Sequence, residues 1–240
     1  MPAQIGLLAR MPGTLIVALD LDSRAEAEAL VERLGDAADF YKIGYQLFYG
    51  GDGLALGKAL IAAKKRVFFD LKLLDIDNTV EKGAAAIAKL GAAFLTVHAY
   101  PKALAAAQRG AAGSGLGILG VSILTSMDEA DVRDAGYDRS LSDLVANRAR
   151  QASELGIAGI VCSPAEAANV RSILSPDGAV VTPGIRPAGS VSGDQKRSAT
   201  PAEALKAGAS HLVVGRPITA ASDPLSAAHA VLSEMDGQES

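Results

Sequence analysis

The sequence predicts an α/β protein built as a single (β/α)8 (TIM) barrel over residues 1–240. Eight short apolar runs alternate with alanine-rich amphipathic stretches. Each run is apolar on both faces, which is typical of parallel strands covered by helices. A closed barrel of eight such units accounts for a chain of 240 residues without a second domain. A doubly wound open sheet is the alternative fold.

The predicted strands are spaced along the whole chain. In order they are Leu15–Leu19, Phe40–Ile43, Val67–Leu71, Phe94–Val97, Gly117–Ile123, Gly159–Val161, Ala179–Val181 and Leu212–Val214. Four of the intervening helices are predicted to end at a glycine that precedes the next strand by a few residues: Gly35, Gly91, Gly156 and Gly208. Glycine suits the left-handed conformation that closes many helices.

Helix starts are equally well marked. Ser23, Ser163 and Thr200 each stand three residues before a glutamate, which is the spacing of a capping box. Pro164 and Pro201 then occupy the first helical position, where the missing N–H costs nothing. These signals place a helix after the first, sixth and seventh predicted strands.

Composition limits the function classes. A hydrophobic share of 49% supports a large core, and a net charge of -4 without a basic run argues against nucleic acid as the main partner. The single Cys162 follows a strand and is expected to be a buried, inert thiol. No Cys/His cluster has metal-ligand spacing, and no signal-like or membrane-length apolar segment is found. We therefore expect a cytoplasmic protein without a membrane partner.

The segment from Asp70 to Asp77 carries the most chemical information. It follows the β-branched and aromatic run Val67–Phe69, so it begins as a strand in which Asp70 and Lys72 share one face. Leu71 then points the other way, toward a packed layer. Charges in a low-dielectric interior persist only if they neutralise one another or meet a ligand. This segment is therefore predicted to be functional, with a plain ion pair at the strand end as the alternative.

Polar residues at the carboxyl ends of the predicted strands form a coherent set, because catalytic residues of (β/α)8 barrels lie at that end. They are Asp20, Lys42, Asp70, Lys72, His98, Ser122, Thr125, Arg186, Gly215 and Arg216. Two aspartates and two lysines on three adjacent strands are predicted to alternate in one electrostatic network. For His98 a structural role is as plausible as a place at the rim.

The last two units predict a phosphate site. Pro183–Pro187 and Val214–Pro217 each place glycine beside arginine just after a strand, and phosphate in barrels frequently binds at these loops. The intervening residues 188–199 are long for such a loop and rich in glycine, serine and polar residues, so we interpret them as a candidate lid. Gln195 lies within this segment.

These motifs resemble those of the orotidine 5'-phosphate decarboxylase family. The resemblance covers nearly the whole chain and rests on Val17–Asp20, Lys42–Gly44, Asp70–Ile76, Thr182–Arg186 and Val214–Arg216. The Asp-x-Lys-x-x-Asp core is shared with other barrel decarboxylases. The Pro-Gly-Ile-Arg segment and the glutamine in the loop after it are specific to the pyrimidine enzyme.

The resemblance implies decarboxylation of orotidine 5'-monophosphate to UMP, without a metal or a cofactor. It implies that Lys72 donates the proton, that Asp70 lies against the departing carboxylate, and that Asp20 and Lys42 bind ribose hydroxyls. Asp75 and Thr79 would reach the neighbouring site of a homodimer. The other implied contacts are Thr125 to the base, and Gln195, Arg186, Gly215 and Arg216 to the phosphate.

One position departs from the family pattern, since Asp77 stands where proline is common. Two rival functions share part of the pattern. Sugar-phosphate lyases with the same core, such as keto-gulonate phosphate decarboxylases and hexulose phosphate synthases, use magnesium to stabilise an enediolate. A non-catalytic nucleotide-binding barrel would keep the arginines but would have no need for Lys72.

Overall fold

Eight parallel strands close into a barrel in chain order in the computed structural model, which describes residues 13–188 and 198–237. The strands are β1 (Thr14–Ala18), β2 (Phe40–Ile43), β3 (Arg66–Leu73), β4 (Phe94–His98), β5 (Gly117–Val121), β6 (Gly159–Val161), β7 (Ala179–Thr182) and β8 (His211–Val214). Pairing of β1 with β8, from Thr14 opposite His211 to Val17 opposite Val214, completes the barrel. The (β/α)8 prediction is confirmed, and the open sheet is excluded.

Helices follow the strands and cover the outside of the barrel. They are α1 (Arg24–Leu34), α2 (Tyr45–Tyr49), α3 (Gly53–Ala62), α4 (Asp77–Ala88), α5 (Pro101–Ala111), α6 (Glu129–Asp134), α7 (Leu141–Glu154), α8 (Ala167–Ile173), α9 (Pro201–Lys206), α10 (Arg216–Thr219) and α11 (Pro224–Met235). Within the described part of the chain, none of these helices combines the length and apolar character required to span a bilayer. Because residues 1–12, 189–197 and 238–240 lie outside this description, one domain over residues 1–240 stays a prediction.

The predicted helix ends are present. Ser23, Ser163 and Thr200 cap their helices, with reciprocal capping boxes at Ser163 and Thr200. The glycines predicted to end helices, Gly35, Gly91, Gly156 and Gly208, all have positive φ angles. The helix that starts at Ser163 begins with a short 3-10 turn, Pro164–Glu166, before α8. Two strand ends differ from prediction by two residues, since β3 continues to Leu73 and β5 ends at Val121 rather than Ile123, and the remaining strand bounds agree to within one residue.

Alternation along the strands separates two apolar layers. One layer fills the barrel and consists of Ile16, Ala18, Phe40, Phe68, Leu119, Ala179, Val181 and Val213. The other lies between the strands and the helices, and Leu71 and Cys162 belong to it, as predicted. Two residues further along the chain from Ala18, Phe40 and Phe68, the next inward-facing positions are Asp20, Lys42 and Asp70. Strand geometry therefore brings these three charges together at the carboxyl side of the apolar interior.

The amino end of the barrel is closed by aromatic rings. Phe94 lies 5.5 Å from Phe40 and 6.1 Å from Phe68 between ring centroids, and the His211 ring is 5.4 Å from Phe94. Burial, together with the nearby Arg66 guanidinium, lowers the pKa of His211 to about 4. The folded protein therefore keeps this imidazole neutral at pH values where an exposed histidine is charged.

His211 makes stability depend on pH. In the unfolded chain its pKa returns to about 6.5, so below that pH the unfolded state binds a proton that the folded state excludes. Its contribution is complete above about pH 6.5 and is lost as pH falls toward 4. We expect His211→Gln to remove about 2 kcal/mol of the fall in unfolding free energy between about pH 7.5 and 5. Urea unfolding at both pH values measures this fall in the parent, in His211→Gln and in the control His229→Gln, which changes an exposed histidine. An equal fall in all three proteins would contradict this role of His211.

Candidate active site

Four alternating charges line the carboxyl end of the first three strands. Lys42 Nζ lies 3.0 Å from Asp20 Oδ1 and 3.5 Å from Asp70 Oδ2. Lys72 Nζ lies 2.8 Å from Asp70 Oδ1. The two central side chains are the most buried, with 9% of Lys42 and 15% of Asp70 exposed. The predicted network is present, and we refer to Asp20, Lys42, Asp70 and Lys72 as the charged row.

The charged row keeps its two central members ionised. Burial alone would lower the pKa of Lys42, but the Asp70 and Asp20 carboxylates raise it above its ordinary value. Burial alone would raise the pKa of Asp70, but the Lys42 and Lys72 ammonium groups and a hydrogen bond from Thr96 lower it. An opposite charge at about 4 Å is worth roughly 4 kcal/mol at an effective dielectric near 20, which is enough to offset partial desolvation.

Lys72 reaches Asp70 through an irregular backbone. Its φ angle is +44°, in the left-handed region that non-glycine residues seldom occupy. The pairing of β3 with β4 jumps from Phe69 opposite Leu95 to Leu73 opposite Val97. The prediction that Asp70 and Lys72 lie together is therefore right, but regular strand alternation is not the cause. A bulge in β3 turns the lysine into the site.

The charged row forms one wall of a pocket of about 450 Å³, a size common for small-molecule sites. The pocket is lined by Ala18, Asp20, Lys42, Gln46, Asp70, Lys72, Val121, Ile123, Leu124, Thr125, Val161, Pro183, Gly184, Arg186, Val213, Gly215, Arg216 and Thr219. Of the predicted contacts, Asp20, Lys42, Asp70, Lys72, Thr125, Arg186, Gly215 and Arg216 are all in this set. Apolar residues from β5, β6 and β8 make the floor between the charged sides.

The two arginines of the pocket follow β7 and β8, and β8 pairs with β1, the strand that precedes Asp20. Arg186 follows β7, and its backbone N–H donates to the Ala199 carbonyl at 2.9 Å. The chain just before the segment 188–199 therefore lies beside the last residue of that segment. Arg216 begins α10, with Gly215 as the residue before it. Gln195 and the rest of residues 189–197 lie outside the described residues. The candidate lid and the Gln195 contact therefore stay predictions.

Asp75 and Thr79 do not line this pocket. They are exposed and lie in an adjoining depression with Tyr45, Leu74 and His98, on the outer side of Lys72. The pKa of His98 is lowered by burial and by the nearby Lys72 and Arg148 cations, so this imidazole favours its neutral form.

Asp77 fits its place in the fold. It is the first residue of α4, and an acidic residue in the first turn interacts favourably with the helix dipole. Proline is also favoured at that first position. The exchange of proline for Asp77 therefore leaves the helix start intact, and Asp75 Oδ1 accepts the Ile76 N–H just before it.

Sequence reasoning missed four residues that bring polar or aromatic groups to the site. Thr96 is fully buried and bonds to Asp70, and the Tyr45 ring lies 5.2 Å from Lys72 Nζ. Gln46 and Thr219 line the pocket. Tyr45 and Gln46 lie two and three residues after the end of β2, so the rule that finds polar residues after strands could have found them. Thr96 carried no signal, because threonine is ordinary within a strand.

The fold and the site together define a (β/α)8-barrel enzyme with a charged pocket at the carboxyl ends of its strands. Residues 13–231 match the sequence model of the family described as "Orotidine 5'-phosphate decarboxylase / HUMPS family". The chain therefore belongs to the orotidine 5'-phosphate decarboxylase / HUMPS family.

Individual relatives agree with this assignment. A protein of Methylobacterium sp. (strain 4-46) named orotidine 5'-phosphate decarboxylase is 59% identical over 224 residues, which cover 92% of this chain and 94% of that protein. One of Afipia carboxidovorans with the same name is 60% identical over 221 residues, with the same coverage. The crystal structure of orotidine 5'-phosphate decarboxylase from Lactobacillus acidophilus superposes with a TM-score of 0.82 at 38% identity, covering 93% of this chain and 99% of that one.

Proposed function

We propose that this protein decarboxylates orotidine 5'-monophosphate to UMP in pyrimidine biosynthesis. The observation that carries the proposal is the charged row, which sets a lysine ammonium 2.8 Å from a buried aspartate inside a pocket that also holds two arginines. The names of the relatives support the same substrate. Within the family, these names favour the nucleotide over a sugar phosphate.

The pocket offers each part of this substrate a complementary group. The phosphate would bind Arg186, Gly215 and Arg216, and Gln195 is the further contact that the family resemblance implies. The ribose hydroxyls would bind Asp20 and Lys42, since both side chains face the pocket between the arginines and Lys72. Thr125 would contact the base. A phosphate held far from the reacting carbon supplies binding energy that assembles the site around it.

The chemical step needs a cation and an anion beside the same carbon. With the substrate carboxylate against Asp70, two like charges are in contact, and they separate as the bond to carbon dioxide breaks. The electron pair of that bond stays on the ring carbon, where the Lys72 ammonium stabilises it. Lys72 then gives its proton to this carbon, which yields UMP, and regains a proton from solvent.

We propose that the reaction needs no metal. Both aspartates of the charged row already face an ammonium group at 2.8–3.0 Å, and those cations repel a divalent ion at the same place. The two ammonium groups supply the positive charge that magnesium provides in the rival sugar-phosphate lyases.

We also propose that the working form is a homodimer in which Asp75 and Thr79 enter the partner's site. Tyr45, Tyr49, Leu74 and Ile76 form an exposed apolar face around Asp75, with 73% of Tyr49 and 72% of Ile76 accessible. Contiguous apolar surface of this kind marks an interaction site, and two-fold self-association is the commonest way to cover it. A cytoplasmic location also stays a prediction.

The test uses protein stripped of metal by a chelator. When it is incubated with orotidine 5'-monophosphate, we expect the ultraviolet absorbance of the substrate to fall rapidly. Each molecule of substrate should yield one UMP and one carbon dioxide. Activity that appears only on adding magnesium would favour the sugar-phosphate lyases, as would a lack of affinity for UMP. Tight UMP binding without turnover would favour the non-catalytic barrel.

A further inference from the structure

The peptide unit between Leu71 and Lys72 is held from both sides by side chains. Its N–H donates to Thr96 Oγ1 at 2.9 Å. Its carbonyl accepts a hydrogen bond from the Tyr45 hydroxyl at 3.2 Å. Thr96 comes from the barrel strand β4 and Tyr45 from the start of α2, so two separate elements fix the orientation of one peptide.

This peptide needs such support. The regular ladder between β3 and β4 skips it, because the register passes from Phe69 to Leu73. Lys72 also has a φ angle of +44°, a conformation that persists only where the surroundings enforce it. The two side-chain hydrogen bonds take the place of ladder bonds and stabilise the left-handed backbone at Lys72.

The same two residues also lie beside the ion pair that the far end of the lysine makes with Asp70. Thr96 Oγ1 donates to Asp70 Oδ1 at 2.9 Å, and this oxygen also accepts from Lys72 Nζ at 2.8 Å. The Tyr45 ring lies 5.2 Å from Lys72 Nζ, within range of a cation–π interaction. One hydroxyl can accept from an N–H and donate to a carboxylate at once, so both Thr96 contacts are compatible.

We infer that Thr96 and Tyr45 are positioning residues for the proposed decarboxylation, holding the Lys72 peptide and ammonium in the arrangement from which the proton is transferred. Neither residue contacts the substrate in this inference. They act through Lys72 and Asp70, so their loss should slow the chemical step and leave phosphate and ribose binding intact. The inference rests on the proposed function.

Four variants test it. Thr96→Val keeps the shape of the side chain and removes both hydrogen bonds, whereas Thr96→Ser keeps the hydroxyl. Tyr45→Phe keeps the ring and removes only the bond to the Leu71 carbonyl. Tyr41→Phe is the matched control, because the buried Tyr41 hydroxyl donates to the Ala38 carbonyl at 2.9 Å, and Tyr41 packs in the outer apolar layer, away from the pocket.

We expect kcat to fall about 100-fold in Thr96→Val, as a misplaced catalytic group typically causes. We expect a fall of about 10-fold in Tyr45→Phe, which loses one hydrogen bond. Thr96→Ser should recover most of the loss. Calorimetry should give UMP dissociation constants within about twofold of the parent for all variants, since these contacts matter only for the chemical step. Tyr41→Phe should unfold at a lower temperature with an unchanged kcat.

Each outcome is decisive. Normal kcat in Thr96→Val and Tyr45→Phe would overturn the positioning role alone, provided the parent is active. A fall in kcat that equals the fall in the number of UMP-binding sites per chain would also overturn the positioning role. Such a result would mean that part of the variant protein is unfolded. A parent protein that binds UMP but does not decarboxylate the substrate would overturn the proposed function and this role with it.

Discussion

Lys72→Ala is expected to lower kcat on orotidine 5'-monophosphate by several orders of magnitude while leaving UMP affinity largely intact. Lys72 lines the pocket from β3, whereas the arginines that would hold the phosphate follow β7 and β8, so its loss removes an interaction made mainly in the transition state. It also removes the proton donor. Steady-state turnover and calorimetric titration with UMP measure the two effects separately.

Lys206→Ala provides the control. This exposed lysine lies in the last turn of α9, at the opposite end of the barrel, and its loss removes the same charge from the protein without reaching the pocket. Its turnover should equal that of the parent. Normal turnover in Lys72→Ala would show that another group supplies the proton.

Asp75→Asn is expected to inactivate the enzyme through the neighbouring subunit. If Asp75 serves the partner's site, mixing this variant with Lys72→Ala restores activity. In a mixed dimer one site receives an intact Lys72 from one chain and an intact Asp75 from the other. When subunits exchange freely, half of the dimers are mixed and about a quarter of all sites are complete.

Activity of each variant alone and of the mixture, measured after subunit exchange, tests this arrangement. The neighbouring Asp77→Asn is the control, because Asp77 is an exposed carboxylate in the first turn of α4 and has no part in the proposed site. Recovery well below the expected fraction in a fully exchanged mixture would mean that Asp75 and Lys72 serve the same chain's site. A monomeric, fully active protein would contradict the dimer itself.

The fold could be predicted in detail because its signals are local. Capping at Ser163 and Thr200 and the positive φ angles at Gly91 and Gly156 depend on a few consecutive residues. The barrel adds one long-range rule, that strand ends meet at one rim. This rule correctly placed Asp20, two residues after β1, beside the side chains of β2 and β3.

The residues that escaped prediction depend on irregular or long-range geometry. Thr96 acts on Lys72 only because β3 bulges, and nothing in the strand sequence of β4 marks that meeting. The sequence gives no local signal for the bulge, since neither glycine nor proline occurs between Asp70 and Leu73. Asp75 is similar: the motif indicates its importance, but the role proposed for it depends on a second chain.

The charged row has a consequence for how fast substrate arrives. The charges of its two ammonium groups and two carboxylates sum to zero, so the row exerts little long-range attraction on a charged ligand. The whole chain carries a charge of -4 and repels an anion. Among the residues that line the described pocket, the positive charge outside the charged row belongs to Arg186 and Arg216, and their attraction for a phosphorylated ligand weakens as ionic strength rises. Substrate association and the chemical step thus depend on different charged residues. Added salt should lower the association rate of the substrate while leaving the reaction rate of bound substrate nearly unchanged.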